Sequence, residues 1–193
     1  MSAVLRLPPR RMTVTEFLAW DPDDGTGAVW QLRDGEPEMM APGGDAHGSI
    51  QTEIVRLLEN HCVARGHCRA VTTPGVIPRL RSDENMLVPD VGVTCSPPSG
   101  GKSIPDPVLL VEVLSPSNEA QTRANIWAYT TIPSVREIWV VSSWDVRAEV
   151  FWLRPDGTWP ERPDLIGPED ELRAESIGFA VPLKAIYRTS GLI

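Results

Sequence analysis

Two short apolar runs, each interrupted by one carboxylate, constrain this chain more than any other feature. The runs are LVPDVGVT (residues 87–94), which carries Asp90, and VLLVEVL (residues 108–114), which carries Glu112. Their length, their Val and Leu content and the Pro or Ser residues around them predict buried strands. A buried carboxylate is costly unless a cation or hydrogen-bond donors compensate its charge.

Two carboxylates on neighbouring strands would repel each other, and a divalent cation between them would remove that repulsion. Hard cations such as Mg²⁺ bind carboxylates, waters and phosphate oxygens. The alternative is that Asp90 and Glu112 each pair with a separate arginine, or that each lies at a strand end in water. The residues alone leave both explanations open, and the metal site is the sharper hypothesis.

The length and composition bound the class of protein. With 193 residues, 41% of them hydrophobic, the chain is expected to form a loose lead-in over residues 1–11 and a single domain over residues 12–193. No apolar stretch approaches the roughly 20 residues that span a membrane. The start, broken by Pro, does not resemble a signal peptide. Three cysteines, an odd and small number, favour a reduced, cytoplasmic setting without a membrane partner.

The charge balance limits the kind of nucleic-acid contact. A formal net charge of −8 argues against a broad phosphate-binding surface, because Lys and Arg supply non-specific affinity for nucleic acid. A local basic groove is compatible with that charge. Seven tryptophans in a chain of this size predict an apolar interface and a homodimer.

Several local signals predict the elements of the first half. Thr13 and Glu16 form a capping-box pattern that starts a short helix, and Asp34-Gly35 is a hairpin turn signal. Asp45 is placed to cap a helix over residues 46–65. The run His61, Cys62, His67 and Cys68 raises a zinc interpretation, but the spacing matches no standard ligand pattern.

In the second half, Ser117 or Asn118 is expected to cap a helix that follows the Glu112 strand. The stretches IPSVREIWVV (132–141) and RAEVFWL (147–153) predict a β-hairpin. EDELRAES (169–176) is interpreted as an acidic surface stretch.

Taken together, PDV (89–91), LLVEVLSPS (109–117), a helix containing Ala-Tyr, and IPSVREIWVV resemble the Uma2-type family of restriction-endonuclease-like proteins. That family belongs to the PD-(D/E)XK nuclease-like superfamily. The resemblance runs from Met12 to about Tyr187. It implies an α/β (α+β) fold with a mixed central sheet flanked by helices, a restriction-endonuclease-like core and an N-terminal hairpin. It also implies nucleic acid, in the first place DNA, as the partner.

The resemblance assigns roles to particular residues. Asp90 and Glu112 would bind a catalytic Mg²⁺ or Mn²⁺, and the backbone carbonyl of Val113 would add a third oxygen. The chemistry would be attack of water on a phosphodiester. His47 occupies a position where the family commonly has a histidine, and it would touch substrate phosphate; the alternative is a polar residue finishing a helix N-terminus.

The resemblance also implies an active-site lysine that this chain lacks at the expected positions. The superfamily's short motif would place a lysine two residues after Glu112, where this chain has Leu114. The Uma2-type pattern takes that lysine from the next helix, four residues before a tyrosine, which here gives Asn125 before Tyr129. Four residues earlier, where an Asp is common, stands Gln121. These three positions share one helical face.

Two further positions differ from the family pattern or could compensate for the absent lysine. Arg123 is the nearest cation and is a candidate for substrate binding, although it lies off the face that carries Asn125. Gln31 stands where the family usually has an acid. Three functions follow: a metal-dependent endonuclease with a modified site, a weak or inactive nuclease-fold protein that binds nucleic acid or metal, or a structural oligomer.

Overall fold

The computed structural model describes residues 11–20, 27–116 and 118–193. The predicted lead-in therefore lies, apart from Arg11, outside the described residues. The α-helices are α1 (Val14–Ala19), α2 (Asp45–Arg65) and α3 (Glu119–Tyr129). The strands are β1 (Trp30–Arg33), β2 (Glu36–Met39), β3 (Arg69–Thr72), β4 (Val91–Thr94), β5 (Pro107–Leu114), β6 (Glu137–Ser142), β7 (Ala148–Trp152), β8 (Asp164–Ile166), β9 (Glu171–Ala174) and β10 (Phe179–Pro182). Short 3₁₀ helices cover Glu175–Ile177 and Leu183–Tyr187.

The centre of the fold is a six-stranded mixed sheet with the order β3-β4-β5-β6-β7-β8. Strands β5 and β6 run parallel, and the other neighbours are antiparallel. The chain between β5 and β6 crosses over through α3, as a parallel connection requires. The expected α+β fold with a mixed sheet and flanking helices is confirmed.

Strand β5 lies in the middle of the sheet, which explains its nearly continuous apolar sequence. Leu109, Val111 and Val113 join the core cluster on the α2 side of the sheet. Leu110 and Leu114 join the cluster on the α3 side. Because alternate strand residues face opposite sides, Glu112 projects toward α3 from between two buried leucines.

Helix α2 packs on the sheet through a stripe of buried residues, Ile50, Ile54, Leu58 and Cys62, at helical spacing. It ends at Gly66, whose φ of 75° is in the left-handed region that glycine adopts readily. The prediction that Asp45 caps this helix is wrong. Asp45 is the first helical residue, and the N-cap is Gly44, which makes no side-chain cap hydrogen bond.

The opening hairpin β1–β2 forms as expected, with Asp34 and Gly35 at positive φ in its turn. Its apolar side carries Leu32, which packs with Phe17 of α1 and with Met86 in a third, smaller cluster. Alternation along β1 turns Gln31 and Arg33 to the other side of the hairpin. The Thr13–Glu16 capping box of α1 is also present.

Two smaller expectations are corrected, and a third, the N-cap of α3 at Ser117 or Asn118, is confirmed in position; Ser117 lies outside the described residues. Asp90 precedes β4 and does not lie within it, because Pro89 lacks the N–H that continued strand pairing would need. The stretch 169–176 is not simply surface, since Leu172 and Ala174 of β9 are fully buried against β10. Asn118 is the N-cap of α3, but its Oδ1 accepts from the Ser115 N–H and not from the helix.

The expectation of reduced cysteines is wrong. Cys68 and Cys95 form a disulfide between residues 27 apart in sequence. The antiparallel register Arg69↔Thr94 makes them cross-strand neighbours at the ends of β3 and β4, a closeness that the count of cysteines does not reveal. Cys62 is free and buried. The cytoplasmic compartment stays a prediction.

Within the described residues, no helix is long and apolar enough to cross a membrane. Trp139 is fully buried in the core, whereas Trp127 is 51% and Trp152 42% exposed. The other tryptophans are half-buried: Trp20, Trp30, Trp144 and Trp159. Homodimerisation stays a prediction.

Candidate active site

The fold brings Asp90 and Glu112 together near the carboxyl end of β5. The antiparallel register Val91↔Val111, continued by one residue, sets Asp90 opposite Glu112. Both side chains are buried, with relative exposures of 8% for Asp90 and 5% for Glu112. The two candidate ligands are therefore neighbours in a low-dielectric setting, where their charges interact strongly.

Asp90 is held by several donors. The Val113 N–H donates to Asp90 Oδ2 over 2.7 Å, and His47 Nε2 lies 3.0 Å from Oδ1. The backbone carbonyl of Asp90 accepts from the Thr73 N–H at 2.9 Å and from Gln51 Nε2 at 2.8 Å. These bonds attach Asp90 to β5 and α2 at once, so its position is well determined.

His47, from the first turn of α2, faces the acid pair as the resemblance implied. Burial alone would lower the pKa of its imidazole, but the hydrogen bond and the charge of Asp90 raise the pKa above its ordinary value. Gly43 lets the preceding loop pack on this ring, since a Cβ there would lie 2.6 Å from His47 Cδ2. His47 Nδ1 is buried and has no hydrogen-bond partner among the described residues.

Glu112 has only neutral donors. Tyr129 donates its hydroxyl to Glu112 Oε1 over 2.6 Å, and Asn125 Nδ2 lies 3.4 Å from the same oxygen. Burial, together with the charge of Asp90, raises the pKa of Glu112 from 4.5 to about 8. Without a cation, burial therefore favours the protonated form of this carboxyl.

The polar face of α3, made by Gln121, Asn125 and Tyr129, contacts both the acid pair and the opening hairpin. Asn125 and Tyr129 meet Glu112, and Gln121 Nε2 donates to Glu38 Oε2 at 2.9 Å. Glu38 was not foreseen from the sequence. Its Oε2 also accepts from Gln31 Nε2 and from Arg33 Nε, each at 3.0 Å. The hairpin thus contributes a carboxylate and a guanidinium to the surroundings of the acid pair.

The sequence contains a partial signal for the polar residues that the hairpin brings to α3. Gln31 and Arg33 alternate with Leu32 in β1, and Glu38 is the cross-strand partner of Gln31. The alternation predicts one polar hairpin face, but the contact of that face with α3 joins residues 83 apart and has no local signal.

The side chain of Arg123 binds Glu149 and Glu119 and not the acid pair. Its guanidinium makes two 2.9 Å hydrogen bonds to the Glu149 carboxylate and a 3.0 Å bond to Glu119. In the sheet, Glu149 lies in one row with Val140 and Glu112, so β6 separates it from the acid pair by about 10 Å at ordinary strand spacing. The candidate role of Arg123 in substrate binding stays a prediction.

The donor set fits a hard divalent cation. Val113 donates its N–H to Asp90, so its carbonyl points to the same side of β5. The residue opposite Val113 is Pro89, which has no N–H to offer that carbonyl. Asp90, Glu112 and the Val113 carbonyl therefore present oxygens, the ligand type that Mg²⁺ and Mn²⁺ prefer. Among the described residues, no group of three or more His, Cys, Asp or Glu side chains is placed to hold a metal. Cys68, which the zinc interpretation would need as a thiolate, is bound in the disulfide.

The six-stranded mixed sheet with its flanking helices is a nuclease-like fold. A solved structure described as a putative nuclease belonging to DUF820, from Anabaena variabilis, shares this fold with a TM-score of 0.71. The two chains are 16% identical, and the match covers 93% of this chain and 99% of the other.

The sequence match is more specific than the fold. Residues 14–183 match the Uma2 family, which is described as putative restriction endonucleases, and the chain belongs to that family. An uncharacterized protein of Synechocystis sp. PCC 6803 is 30% identical over 187 residues, which is 94% of each chain.

Proposed function

We propose that this protein is a metal-dependent endonuclease that hydrolyses phosphodiester bonds in nucleic acid, in the first place DNA. The observation that carries the proposal is the buried pair of Asp90 and Glu112 beside the Val113 carbonyl. The ionised pair is unfavourable by itself, because burial first and then the charge of Asp90 raise the pKa of Glu112. A bound cation would offset the two negative charges, and the two carboxylates would serve as its ligands.

Mg²⁺ or Mn²⁺ at this position would polarise a phosphoryl oxygen and stabilise the charge that develops in the transition state. Asp90, Glu112 and the Val113 carbonyl would hold the ion. Val113 and His47 keep the Asp90 carboxylate in place, and Tyr129 does the same for Glu112.

The reaction replaces one phosphoester bond by another P–O bond. The oxygen of a water molecule attacks phosphorus, one P–O ester bond breaks, and the products are a phosphate monoester and a free hydroxyl. The attacking water loses a proton to solvent, and the departing oxygen takes one from solvent. Asn125, whose Oδ1 is buried and without a partner among the described residues, has a free acceptor with which to orient that water.

The test is nicking of a supercoiled plasmid with Mg²⁺ or Mn²⁺, compared with the same reaction in a chelator. We expect metal-dependent nicking by the wild type and its loss in Asp90→Asn and in Glu112→Gln. Each substitution keeps the size of the side chain and removes the ligand charge, so the melting temperature serves as the control for folding.

Binding must be separated from cleavage. Calorimetric titration with Mn²⁺ should show a site that is lost in Asp90→Asn. If the wild type binds Mn²⁺ and a DNA duplex but cuts no substrate, the endonuclease hypothesis is wrong and the protein is an inactive binding protein. Equal Mn²⁺ titrations for wild type and Asp90→Asn would reject the metal site itself.

A further inference from the structure

The first half of helix α3 is held in place by polar side chains more than by the core. The residues of α3 that join the apolar cluster on this side of the sheet are Ile126, Ala128 and Tyr129, all in its second half. Asn118 at the N-cap makes no side-chain hydrogen bond to the helix. The position of the first two turns therefore depends on the polar groups that they contact on neighbouring elements.

Two contacts hold this half of α3 on nearly opposite sides. Arg123 binds the Glu149 carboxylate of β7 through two hydrogen bonds of 2.9 Å. Gln121 Nε2 donates to Glu38 Oε2 of the opening hairpin at 2.9 Å. Because each helical residue advances by about 100°, Gln121 and Arg123 project to nearly opposite sides. Without the Glu38 contact the helix would stay on the sheet, but its hairpin side would lose this partner.

The hairpin side of α3 is also the side that meets the acid pair. Asn125 lies one turn after Gln121 on the same face, and Asn125 Nδ2 lies 3.4 Å from Glu112 Oε1. Asn125 Oδ1 is buried and has no hydrogen-bond partner among the described residues, so it can accept from a ligand at this place. A shift of the first half of α3 would move this acceptor.

The carboxylate of Glu38 is itself held by several donors. Its Oε2 accepts from Gln31 Nε2 and from Arg33 Nε, each at 3.0 Å, in addition to Gln121. Three donors on one oxygen, one of them a guanidinium, restrict the side chain of Glu38. Glu38 therefore provides a fixed acceptor for the amide of Gln121.

The hairpin that carries Glu38 is bonded to the segment that leads into Asp90. Leu32 and Met86 exchange backbone hydrogen bonds of 2.8 and 2.9 Å. Met86 is four residues before Asp90. Glu38 thus connects two parts of the site that are distant in sequence, the segment that ends in Asp90 and the helix that contacts Glu112.

We propose that Glu38 is a positioning residue for cleavage: its bond to Gln121 fixes the first half of α3 against the opening hairpin, and so keeps Asn125 where it orients the attacking water. This inference rests on the function proposed above. In this role Glu38 acts through Gln121 and Asn125, without contact to the metal or to the phosphate.

Removal of either partner tests the contact. In metal-dependent cleavage of a DNA duplex, Glu38→Ala and Gln121→Ala should each lower kcat roughly tenfold or more, since misplacement of a catalytic group by about 1 Å can cost roughly 10² in rate. KM and Mn²⁺ affinity should change little, because neither residue binds the substrate or the metal. The melting temperature should also change little, since Gln121 is exposed and surface contacts contribute little to stability.

Two combinations show whether the effect passes through Gln121 and Asn125. In an Asn125→Ala background, Glu38→Ala should lower kcat no further, because the group that it positions is already absent. Glu38→Gln together with Gln121→Glu exchanges donor and acceptor and keeps the net charge, so it should recover most of the rate that Gln121→Glu alone loses. A loss of stability alone would produce neither result.

Glu36→Ala is the matched control. Glu36 lies on the same strand and the same polar face as Glu38, opposite Arg33, and is exposed. This variant also removes one carboxylate from the hairpin, and its kcat should stay within about twofold of wild type.

The outcomes distinguish this inference from the function on which it rests. A wild type that cleaves, with Glu38→Ala as active as Glu36→Ala, overturns the role of Glu38 alone. An equal further loss of kcat from Glu38→Ala in the Asn125→Ala background also overturns it, as does a matching loss of Mn²⁺ binding. A wild type that does not cleave with any metal overturns both. If Glu38→Ala fails to fold, Gln121→Ala decides, and a wild-type kcat for that variant rejects the proposal.

Discussion

The hydroxyl of Tyr129 donates to Glu112 Oε1 over 2.6 Å, from α3 to the central strand of the sheet. Both side chains are buried, so the bond acts in a low-dielectric environment. It connects the crossover helix to the strand that carries the candidate metal ligand. Burial, and after it the nearby Glu112 charge, raise the pKa of Tyr129 well above its ordinary value, so the tyrosine stays a donor.

Removing that donor should affect metal binding more than folding. Tyr129→Phe leaves Glu112 with only the longer contact to Asn125, so the pKa of Glu112 should rise further. Protons then compete better with the cation, and we expect Mn²⁺ affinity at pH 7 to fall several-fold. Calorimetry at pH 7 and pH 9 checks this, since the loss should shrink at pH 9. An equal loss at both pH values would mean that the substitution distorts the site.

The pKa of Glu112 also predicts how stability depends on pH. A folded-state pKa of about 8, above the ordinary 4.5, means that the folded chain binds the proton more tightly than the unfolded chain. This contribution to stability is present below about pH 4.5 and is lost as the pH rises through about 8. The metal-free wild type should therefore lose several degrees of melting temperature, relative to Glu112→Gln, between pH 5 and pH 9.

Comparison with Glu112→Gln cancels the titration of other groups, because that variant differs only in the group of interest. Added Mn²⁺ should stabilise the wild type most at high pH, where its ligand is ionised. Parallel curves of melting temperature for the two proteins would contradict the raised pKa.

Asn125→Lys restores the charge that the family pattern places on α3. Asn125 is only 6% exposed, but Glu112 lies beside it, so the new ammonium would form an ion pair and not an isolated buried charge. We expect faster plasmid nicking and little loss of melting temperature. A destabilised, inactive Asn125→Lys protein would show that the helix face has another role.

Arg123 is predicted to contribute to stability more than to DNA affinity. Its hydrogen bonds to Glu149 join α3 to β7, and these bonds first, then the bond to Glu119, raise the pKa of the guanidinium. Arg123→Gln should cost about 1 kcal/mol of unfolding free energy, and nicking should stay within about twofold. A large loss of duplex affinity, measured by anisotropy, would instead assign Arg123 to substrate binding.

The Cys68–Cys95 disulfide should stabilise the edge of the sheet that carries Asp90. It closes a segment of 27 residues that contains β4, so its loss should cost about 2–4 kcal/mol. Wild type in reductant and Cys95→Ser should show the same lowered melting temperature. Cys95→Ser should not respond further to reductant, whereas Cys62→Ala, which keeps the disulfide, should still respond to it.

Much of the candidate site could be predicted from residue pattern because its signals are local. A carboxylate inside an apolar strand-length run marks Asp90 and Glu112, and the i, i+4 spacing places Gln121, Asn125 and Tyr129 on one face of α3. Glu38 and Arg33 could not be predicted, because their relevance arises when the hairpin packs against α3. The disulfide could not be predicted either, because only the register of β3 against β4 brings Cys68 opposite Cys95.

By itself, the amino-acid sequence indicated the central strand and the two acids, because burial and periodicity are read over a few neighbouring residues. The class of fold followed from the resemblance to the Uma2-type family. Only the tertiary structure decided that Glu38 binds both Arg33 and Gln121, that Arg123 is bound by Glu119 and Glu149, and that Cys68 lies opposite Cys95. Those relationships depend on strand order, register and the packing of a hairpin on a distant helix. Such contacts are set by the sum of many weak interactions across the whole core, and no short stretch of sequence encodes them.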